Sequence, residues 1–253
     1  MKPEQRQQQI LAQLRALQGE QSVEDLAQRF HVSPLTIRRD LDRLEIDGAI
    51  LRTHGGCVLR TALESAYQQR VALNFELKQA IGRAAAAQVK AGDAILINDG
   101  STAFQVAANL QNVSRLHVYT NSIPVIAALS RHPDIRLHIL GGEYNAEMHF
   151  LGGSLMEKVL ESLHFDLVFL GTDAIDANGE CSVFDPDISR LTEIMLRRGR
   201  RRILVADHTK VVKTAHVIYA RLSDFDVWYT TPGLKGQQIH RYSQQTVVEV
   251  VKL

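Results

Sequence analysis

The 253-residue sequence has few of the residues that mark disulfide-rich or metal-binding proteins. Its two cysteines, Cys57 and Cys181, lie far apart and show no Cys-x-x-Cys spacing, so we expect two reduced thiols and no disulfide framework. The ten histidines include no helical His-x-x-x-His pair. The sequence therefore predicts no metal site, and we expect no bound cofactor.

Long apolar runs are also absent. The apolar runs, such as Ala94–Ile97 and Val247–Val251, are far too short to cross a bilayer. No apolar segment follows Met1–Gln7, as it would in a signal peptide. We therefore expect a cytoplasmic protein with no membrane partner.

A strong excess of one charge is missing as well, because the net charge is only +1. The first 60 residues hold nine basic and eight acidic side chains, so bulk charge does not predict a nucleic-acid partner. Basic residues gathered on one face would still do so. The chain is longer than a typical domain of roughly 150 residues, which suggests two domains of unequal size.

What the sequence does contain is a helix-turn-helix pattern near its beginning. Apolar residues at helical spacing in 4–17 predict a first helix, and the capping-box pattern of Ser22–Asp25 begins a second. Ser33 is a good N-cap for a third helix, and Pro34 suits its first position, where the missing N–H costs nothing. Two short helices, a tight turn and a third helix make a helix-turn-helix.

The third helix has a polar and basic outer face that a buried core would not require. A strand over 49–52 and a return over 57–59 follow it and predict a two-stranded wing. Such a helix fits the major groove of DNA, and a wing tip can reach the phosphate backbone beside it. The predicted DNA contacts are Ser33, Leu35, Thr36, Arg38, Arg39, Arg43, Arg52 and His54.

The rest of the chain alternates between predicted strands and helices. In this prediction residues 1–58 form the winged helix-turn-helix domain, 59–75 a linker, and 76–253 the second domain. One helix is expected to open at Arg70 and to continue to Val89. The alternation predicts an α/β domain with a mostly parallel, doubly wound sheet.

Sheets of this kind bind ligands at the carboxyl ends of their strands. Asn98–Thr102 follows a predicted strand and can open a helix whose first N–H groups face an anion. This loop is either a phosphate cradle or an ordinary capped turn. Short polar residues, glycines, a carboxylate and a lysine at other strand ends suit a phosphorylated polyol. These strand-end residues are Thr120, Asn121, Ser122, Gly141, Gly142, Gly171, Asp173 and Lys210.

Two motifs in the first 58 residues carry a resemblance to a known family. The string Thr36–Leu41 and the ending Arg52-x-His54-Gly55-Gly56 occur there together. This part of the chain resembles the amino-terminal winged helix of the DeoR family of bacterial transcription regulators. The resemblance implies binding to double-stranded operator DNA, repression of a carbohydrate-utilisation operon, and a homo-oligomer that is a dimer or larger.

The resemblance also implies a role for the second domain. In the family, this domain is similar to ribose-5-phosphate isomerase and the coenzyme A transferases, and it senses phosphorylated sugars or related metabolites. The strand-end residues would line its pocket. The family's phosphate loop would correspond to Asp99, Gly100, Ser101 and Thr102. Thr192 and Ala174 depart from the family pattern, which leaves the identity of the effector open.

Other interpretations remain at this point. The protein could be an active sugar-phosphate isomerase that carries a winged helix, with Asp173 and Lys210 as its acid–base pair. It could also be a regulator whose pocket no longer binds a metabolite. The run Arg197–Arg202 is either a second nucleic-acid patch or a helix end at which Gly199 serves as the C′ residue.

Overall fold

A computed structural model describes residues 3–17, 21–47, 49–52, 55–59, 65–110 and 113–253. The chain divides into two compact units, Met1–Ala66 and Tyr67–Leu253. No helix within these described ranges is long and apolar enough to span a membrane.

The smaller unit is built on three helices that pack around one apolar cluster. Ile10, Leu26, Ile37 and Leu41 are fully buried in that cluster. The elements in chain order are α1 (Pro3–Leu17), β1 (Gln21–Ser22), α2 (Val23–Phe30), α3 (Pro34–Ile46), β2 (Ile50–Arg52) and β3 (Gly56–Leu59). The helix-turn-helix is therefore present, with its third helix at the predicted position.

The turn between α2 and α3 is made by a residue with left-handed backbone geometry. His31 has φ 51° and caps α2, and Val32 N–H donates to the carbonyl of Ala27 at 3.1 Å. Ser33 then caps α3, because its hydroxyl accepts the N–H of Thr36 at 3.2 Å. Capping and the turn thus fix where α3 begins.

The wing differs from the two-stranded prediction. Three strands pair in the order β1-β3-β2, because Gln21–Ser22 adds an antiparallel strand to β3. Gly56 makes this pairing possible, because a Cβ at that position would lie 2.0 Å from the carbonyl oxygen of Gln21. Because the carbonyl belongs to the backbone, it cannot move aside as a flexible side chain can, and a residue with a Cβ at position 56 would disrupt the pairing.

The larger unit contains the alternating strands and helices. Its elements are α4 (Ser65–Ala72), α5 (Phe75–Ala86), β4 (Ala94–Ile97), α6 (Ser101–Ala108), β5 (Leu116–Thr120), α7 (Ile123–Leu129), β6 (Ile135–Ile139), β7 (Glu143–Asn145), β8 (Phe150–Gly152), α8 (Ser154–Glu161), β9 (Phe165–Leu170), β10 (Ala174–Ile175), β11 (Glu180–Val183), α9 (Pro186–Arg197), β12 (Gly199–Val205), β13 (Val217–Arg221), β14 (Val227–Thr230), α10 (Gly236–Ser243) and β15 (Val247–Val250). Single 3₁₀ turns lie at His208–Lys210 and Leu222–Asp224.

Among the described residues, seven parallel strands form the central sheet in the order β15-β14-β12-β9-β4-β5-β6. Successive residues of a strand enter apolar clusters on opposite faces: Ile95 and Ile97 lie in one cluster and Leu96 in the other. This alternation confirms the prediction of a doubly wound α/β sheet. The order also reverses between β4 and β9, which is where such sheets bind ligands.

Two short antiparallel additions were not predicted. The strands β10, β11 and β13 form one small sheet, and β7 pairs with β8 in a hairpin. These strands are two to five residues long. Segments this short carry too few alternations for a pattern to reveal them.

The predicted single helix from Arg70 to Val89 is wrong. Asn74 has φ 58°, so α4 ends at Ala72 and α5 begins at Phe75. The expected linker over 59–75 also differs, because α4 occupies its second half and Tyr67, only 8% exposed, belongs to the larger unit. The buried side chain of Tyr67 therefore packs as part of the larger unit.

Gly199 stands at the C′ position of α9, directly after the C-cap Arg198, but it lacks the left-handed geometry of a C′ glycine. The helix α9 ends at Arg197, and Gly199 is the first residue of β12, where a Cβ would lie 2.5 Å from the side chain of Val168. This glycine therefore permits close packing within the sheet rather than a left-handed turn.

Candidate nucleic-acid interface and ligand cleft

The outer face of α3 presents the predicted DNA-contacting residues to solvent. Leu35 is 57% exposed, and Arg38 and Arg39 are exposed as well. The hydroxyls of Ser33 and Thr36 lie 2.9 Å apart at the start of the helix. The face therefore combines guanidinium and hydroxyl donors with an exposed leucine, the groups that read base edges and thymine methyls.

Two further predicted arginines are held by carboxylates. Arg43 lies 3.6 Å from Asp47 on the same helix, and both side chains are exposed. Arg52, at the end of β2, lies 3.5 Å from Asp42 of α3. These surface pairs are weak enough to exchange for phosphate. His54 lies outside the described residues, so its predicted contact stays a prediction.

A polar cleft in the larger unit lies where the sheet order reverses. The loops after β4 and β9 face each other there, and Gly100 and Gly171 bring their backbones close together. Asn98 ties the loops, because its side-chain oxygen accepts the N–H groups of Gly100 and Gly171, each at 3.3 Å. The cleft is lined by Arg70, Leu73, Lys78, Asn98, Asp99, Gly100, Ser101, Thr102, Gly171, Thr172, Asp173, Val183, Ile188, Thr192 and Lys210.

The first turn of α6 forms one wall of the cleft. Gly100 is the N-cap of this helix, with no side-chain bond to satisfy the first N–H groups. Ser101 and Thr102 follow it directly. An anion is the natural acceptor for such N–H groups at the positive end of a helix.

Two lysines, Lys78 and Lys210, also line the cleft. Burial, with the neighbouring Lys210 ammonium as the second cause, lowers the pKa of the Lys78 amine to about 8. Burial also lowers the pKa of Lys210, against the carboxylates of Asp173 and Asp207. Two buried ammonium groups in one cleft lose hydration and repel each other. An anion bound between them would offset both the lost hydration and the repulsion.

Carboxylates supply the remaining polar groups. Asp99 is buried, which raises the pKa of its carboxyl group, while its own backbone N–H, the Arg70 guanidinium and an Asn121 hydrogen bond oppose the shift. Asp173 forms an ion pair with Arg70 and accepts the N–H of Phe184 at 3.2 Å. Such oxygens can accept hydrogen bonds from sugar hydroxyls.

The structure brings together seven of the twelve predicted effector residues in this cleft. They are Asp99, Gly100, Ser101, Thr102, Gly171, Asp173 and Lys210. Asn121 lies behind them, with its amide donating to the carbonyl of Leu151 at 3.0 Å.

The other four predicted effector residues lie elsewhere. Thr120 and Ser122 are fully buried, and the Thr120 hydroxyl donates to Ile97 and accepts from Ser122 N–H. Gly141 and Gly142 are exposed, and a Cβ at Gly142 would lie 2.0 Å from the carbonyl oxygen of Gly152. These four residues shape the loops after β5 and β6 without lining the cleft, because β5 and β6 lie farther along the sheet than β4 and β9.

Sequence reasoning missed several cleft residues. Arg70 and Lys78 flank the break between α4 and α5. Thr192, which the sequence linked to the effector only as a departure from the family pattern, enters from α9. No local motif marks them, since each enters the cleft from an element far away along the chain. Asn98 lies directly after a buried strand, and this polar residue was the one local sign of where the cleft lies. Across the described ranges, no cluster of three His, Cys, Asp or Glu side chains is placed to hold a metal ion.

Comparison with known proteins agrees with this two-part organisation. Residues 6–62 match the DeoR-like helix-turn-helix domain, and residues 73–231 match the DeoR C terminal sensor domain. The chain is 34% identical over 214 residues to the glycerol-3-phosphate regulon repressor of Escherichia coli (strain K12), covering 84% of this chain and 85% of that protein.

A second relative and a solved structure complete the comparison. The chain is 34% identical over 211 residues to the HTH-type transcriptional repressor GlcR of Bacillus subtilis (strain 168), covering 83% and 81% of the two chains. Ribose 5-phosphate isomerase A from Methanocaldococcus jannaschii aligns with 55% of this chain and 56% of its own, with 18% identity and a TM-score of 0.39. The two domain matches and the relatives lead to one conclusion: this chain belongs to the DeoR family and is a DNA-binding transcription regulator.

Proposed function

We propose that this regulator is a repressor of carbohydrate genes, and that a phosphorylated sugar or related metabolite bound in the cleft weakens its hold on operator DNA. The observation that carries the proposal is the convergence of the α6 N-terminus, Lys78 and Lys210 with the carboxylates of Asp99 and Asp173 at the switch point of the sheet. Two relatives are named as repressors, and one name refers to glycerol 3-phosphate.

The cleft offers different chemistry to the two ends of such a ligand. A phosphate would receive the first N–H groups of α6 and the Ser101 hydroxyl, with Lys78 and Lys210 supplying charge. Hydroxyl groups would donate to Asp99 and Asp173. The apolar side chains of Val183 and Ile188 would contact the carbon skeleton.

The smaller unit would bind the operator through α3. Arg38 and Arg39 are exposed on this helix, and Arg43 and Arg52 would exchange surface carboxylates for DNA phosphates. A single such unit reads only a few base pairs, so the proposal includes a homo-oligomer whose symmetry matches repeated half-sites.

Isomerase activity is the competing interpretation, and the cleft offers it little support. A general base must be free to take a proton from the substrate carbon. Both oxygens of Asp173 already accept hydrogen bonds, one from Arg70 and one from Phe184 N–H. We therefore propose binding without turnover. Ribose 5-phosphate isomerisation by the purified protein that disappears in Asp173→Asn would contradict this.

Two measurements on matched variants test the proposed function. A thermal-shift screen of phosphorylated sugars identifies ligands of the native state, because binding to the folded form alone raises its stability. The effector found this way should release the protein from operator DNA. Asp99→Asn should keep DNA binding without effector and lose most of the response, whereas Asp134→Asn, an exposed change at the other end of the sheet, should keep both. Loss of both properties in Asp99→Asn would indicate misfolding, and an unchanged response would contradict the role of the cleft.

A further inference from the structure

Arg70 contacts polar side chains of the cleft through both its guanidinium and its backbone carbonyl. Its guanidinium forms the ion pair with Asp173, whose side chain is only 10% exposed. Its backbone carbonyl accepts a hydrogen bond from Lys78 Nζ, and the Ser101 hydroxyl donates to the same oxygen at 3.3 Å. The contacts therefore use the groups that a polyol phosphate would need.

The two ends of Arg70 match the two ends of such a ligand. Lys78 and Ser101 would donate to a phosphate oxygen, and here they donate to a carbonyl oxygen instead. Asp173 would accept from a sugar hydroxyl, and here it accepts from a guanidinium. We propose that Arg70 is an internal competitor of the effector, so that a ligand enters the cleft by displacing it. This inference rests on the proposed function, since it assumes that the cleft is the effector site.

The space left in the cleft fits this interpretation. The cavity that remains open measures about 60 Å³. Sites for small metabolites measure about 300 Å³ or more, so side chains have to move before a sugar phosphate is enclosed. Arg70 can make this move, because its side chain is 36% exposed and reaches solvent without crossing the core.

Displacement of Arg70 would act directly on the path between the two units. Arg70 lies in α4, which starts at Ser65, and the smaller unit ends at Ala66 within that helix. Other bonds hold the end of α4 near the same loops: Asn74 donates to the Thr209 hydroxyl at 3.1 Å, and that hydroxyl donates to Asp207 at 2.6 Å. A ligand that replaces the Arg70 side chain would remove its ion pair with Asp173 and loosen α4, the helix that follows the DNA-binding unit.

The direction in which Arg70→Ala changes ligand affinity shows whether Arg70 competes with the ligand or contacts it. Arg70→Ala removes the guanidinium and releases Asp173, but it keeps the backbone carbonyl that Lys78 and Ser101 contact. If Arg70 competes with the ligand, this variant of the full-length protein should bind ribose 5-phosphate about fivefold more tightly, because Asp173 is then open to a sugar hydroxyl, and should bind inorganic phosphate about as the wild type does. Lys210→Ala, which removes a proposed phosphate partner, should lower both affinities. Isothermal titration calorimetry measures all three proteins. A lower affinity in Arg70→Ala would overturn the proposal and make Arg70 a direct ligand contact.

Hydrogen exchange tests the hold of Arg70 on α4 without any ligand. Asp173→Asn keeps the shape of the side chain but removes the ion pair, so amides of 65–72 should exchange several-fold faster while those of α5 stay unchanged. Arg221→Gln, which breaks the ion pair with Glu180 elsewhere in the unit, should leave α4 at the wild-type rate.

The two measurements distinguish failure of this inference from failure of the proposed function. In one outcome, the amides of α4 exchange at the wild-type rate in both Asp173→Asn and Arg70→Ala while phosphate binding is intact. This result would overturn the proposal that Arg70 competes with the effector, and the cleft would remain the proposed effector site. Absence of binding by all three titrated proteins would contradict the cleft as a phosphate site, and the competitor with it.

Discussion

At the scale of the residue, the exposed guanidinium of Arg39 should read a base rather than only the DNA backbone. Arg39→Ala should weaken binding to the preferred duplex by about 1–3 kcal/mol and relax the preference at one base pair, since a bidentate contact to guanine is lost. Selection from a random duplex library, followed by titration of the selected site, measures both effects.

The control for Arg39 lies on the preceding helix. Arg29 is exposed near the end of α2, so Arg29→Ala removes the same charge without touching α3. It should reduce affinity for all sequences alike, or not at all. An Arg39→Ala protein that selects the same site as the wild type would refute base reading by this residue.

Also at the residue scale, Lys78 should make anion binding depend on pH. Its pKa is lowered to about 8, so Lys78 is charged below this pH and neutral above it. The affinity of the cleft for an anion should therefore fall as the pH rises through 8. Sulfate is the suitable probe, because its own charge does not change in this range.

A variant separates Lys78 from the other cations. Lys78→Gln should bind sulfate more weakly at pH 7 and show a shallower fall between pH 7 and 9, because the amine with a pKa of about 8 has been removed. Calorimetric titration across this pH range gives both curves. Superimposable slopes for the two proteins would assign the dependence to other groups.

At the scale of the element, a buried ion pair ties α3 to α1. Arg6 Nε lies 2.5 Å from Asp40 Oδ2, both side chains are less than 10% exposed, and Gln7 donates to the other carboxylate oxygen at 3.1 Å. Asp40→Ala removes one partner of a buried pair and should destabilise the smaller unit by about 3–5 kcal/mol. Hydrogen exchange of α2 and α3 measures this loss, because the single tryptophan, Trp228, lies in the larger unit.

The matched control for Asp40 is its neighbour on the solvent side of α3. Asp42 is 63% exposed and pairs with Arg52 at 3.5 Å, so Asp42→Ala should cost at most about 1 kcal/mol. Equal costs for the two variants would mean that burial of the Arg6–Asp40 pair contributes nothing.

At the scale of the whole molecule, the effector and the operator have to influence each other equally. Typical coupling free energies of about 1–3 kcal/mol change affinity roughly 5- to 150-fold. If the effector lowers operator affinity by some factor, the DNA-bound protein should bind the effector more weakly by the same factor. Titration of the effector with and without saturating operator measures it, and unequal factors would show that the two ligands also change the oligomeric state.

The sequence was sufficient wherever local chemistry decides the structure. The start of α3 was predictable because an N-cap serine, a first-position proline and apolar residues at helical spacing all act within a few residues. The parallel sheet was predictable for a similar reason, since strands buried on both faces are short apolar runs separated by helices. Within the cleft, the loop 98–102 followed from the same local signals.

Long-range packing decided the remainder. Gly82 of α5 lies against α6, and a Cβ at this position would lie 2.4 Å from the carbonyl oxygen of Gln105. No local sequence pattern reveals this contact between the two helices. The pairing of β1 with β3 and the break at Asn74 have the same character.

The sequence by itself determined that the chain has a helix-turn-helix and a parallel α/β sheet, because capping and periodicity act over a few residues. Only the tertiary structure decided which polar groups share the cleft. Arg70, Lys78 and Thr192 line the cleft, whereas Gly141 and Gly142 do not. The physical reason is the strand order: the loops after β4 and β9 are neighbours in space, although about 70 residues of chain separate them, and ligand groups must converge in space.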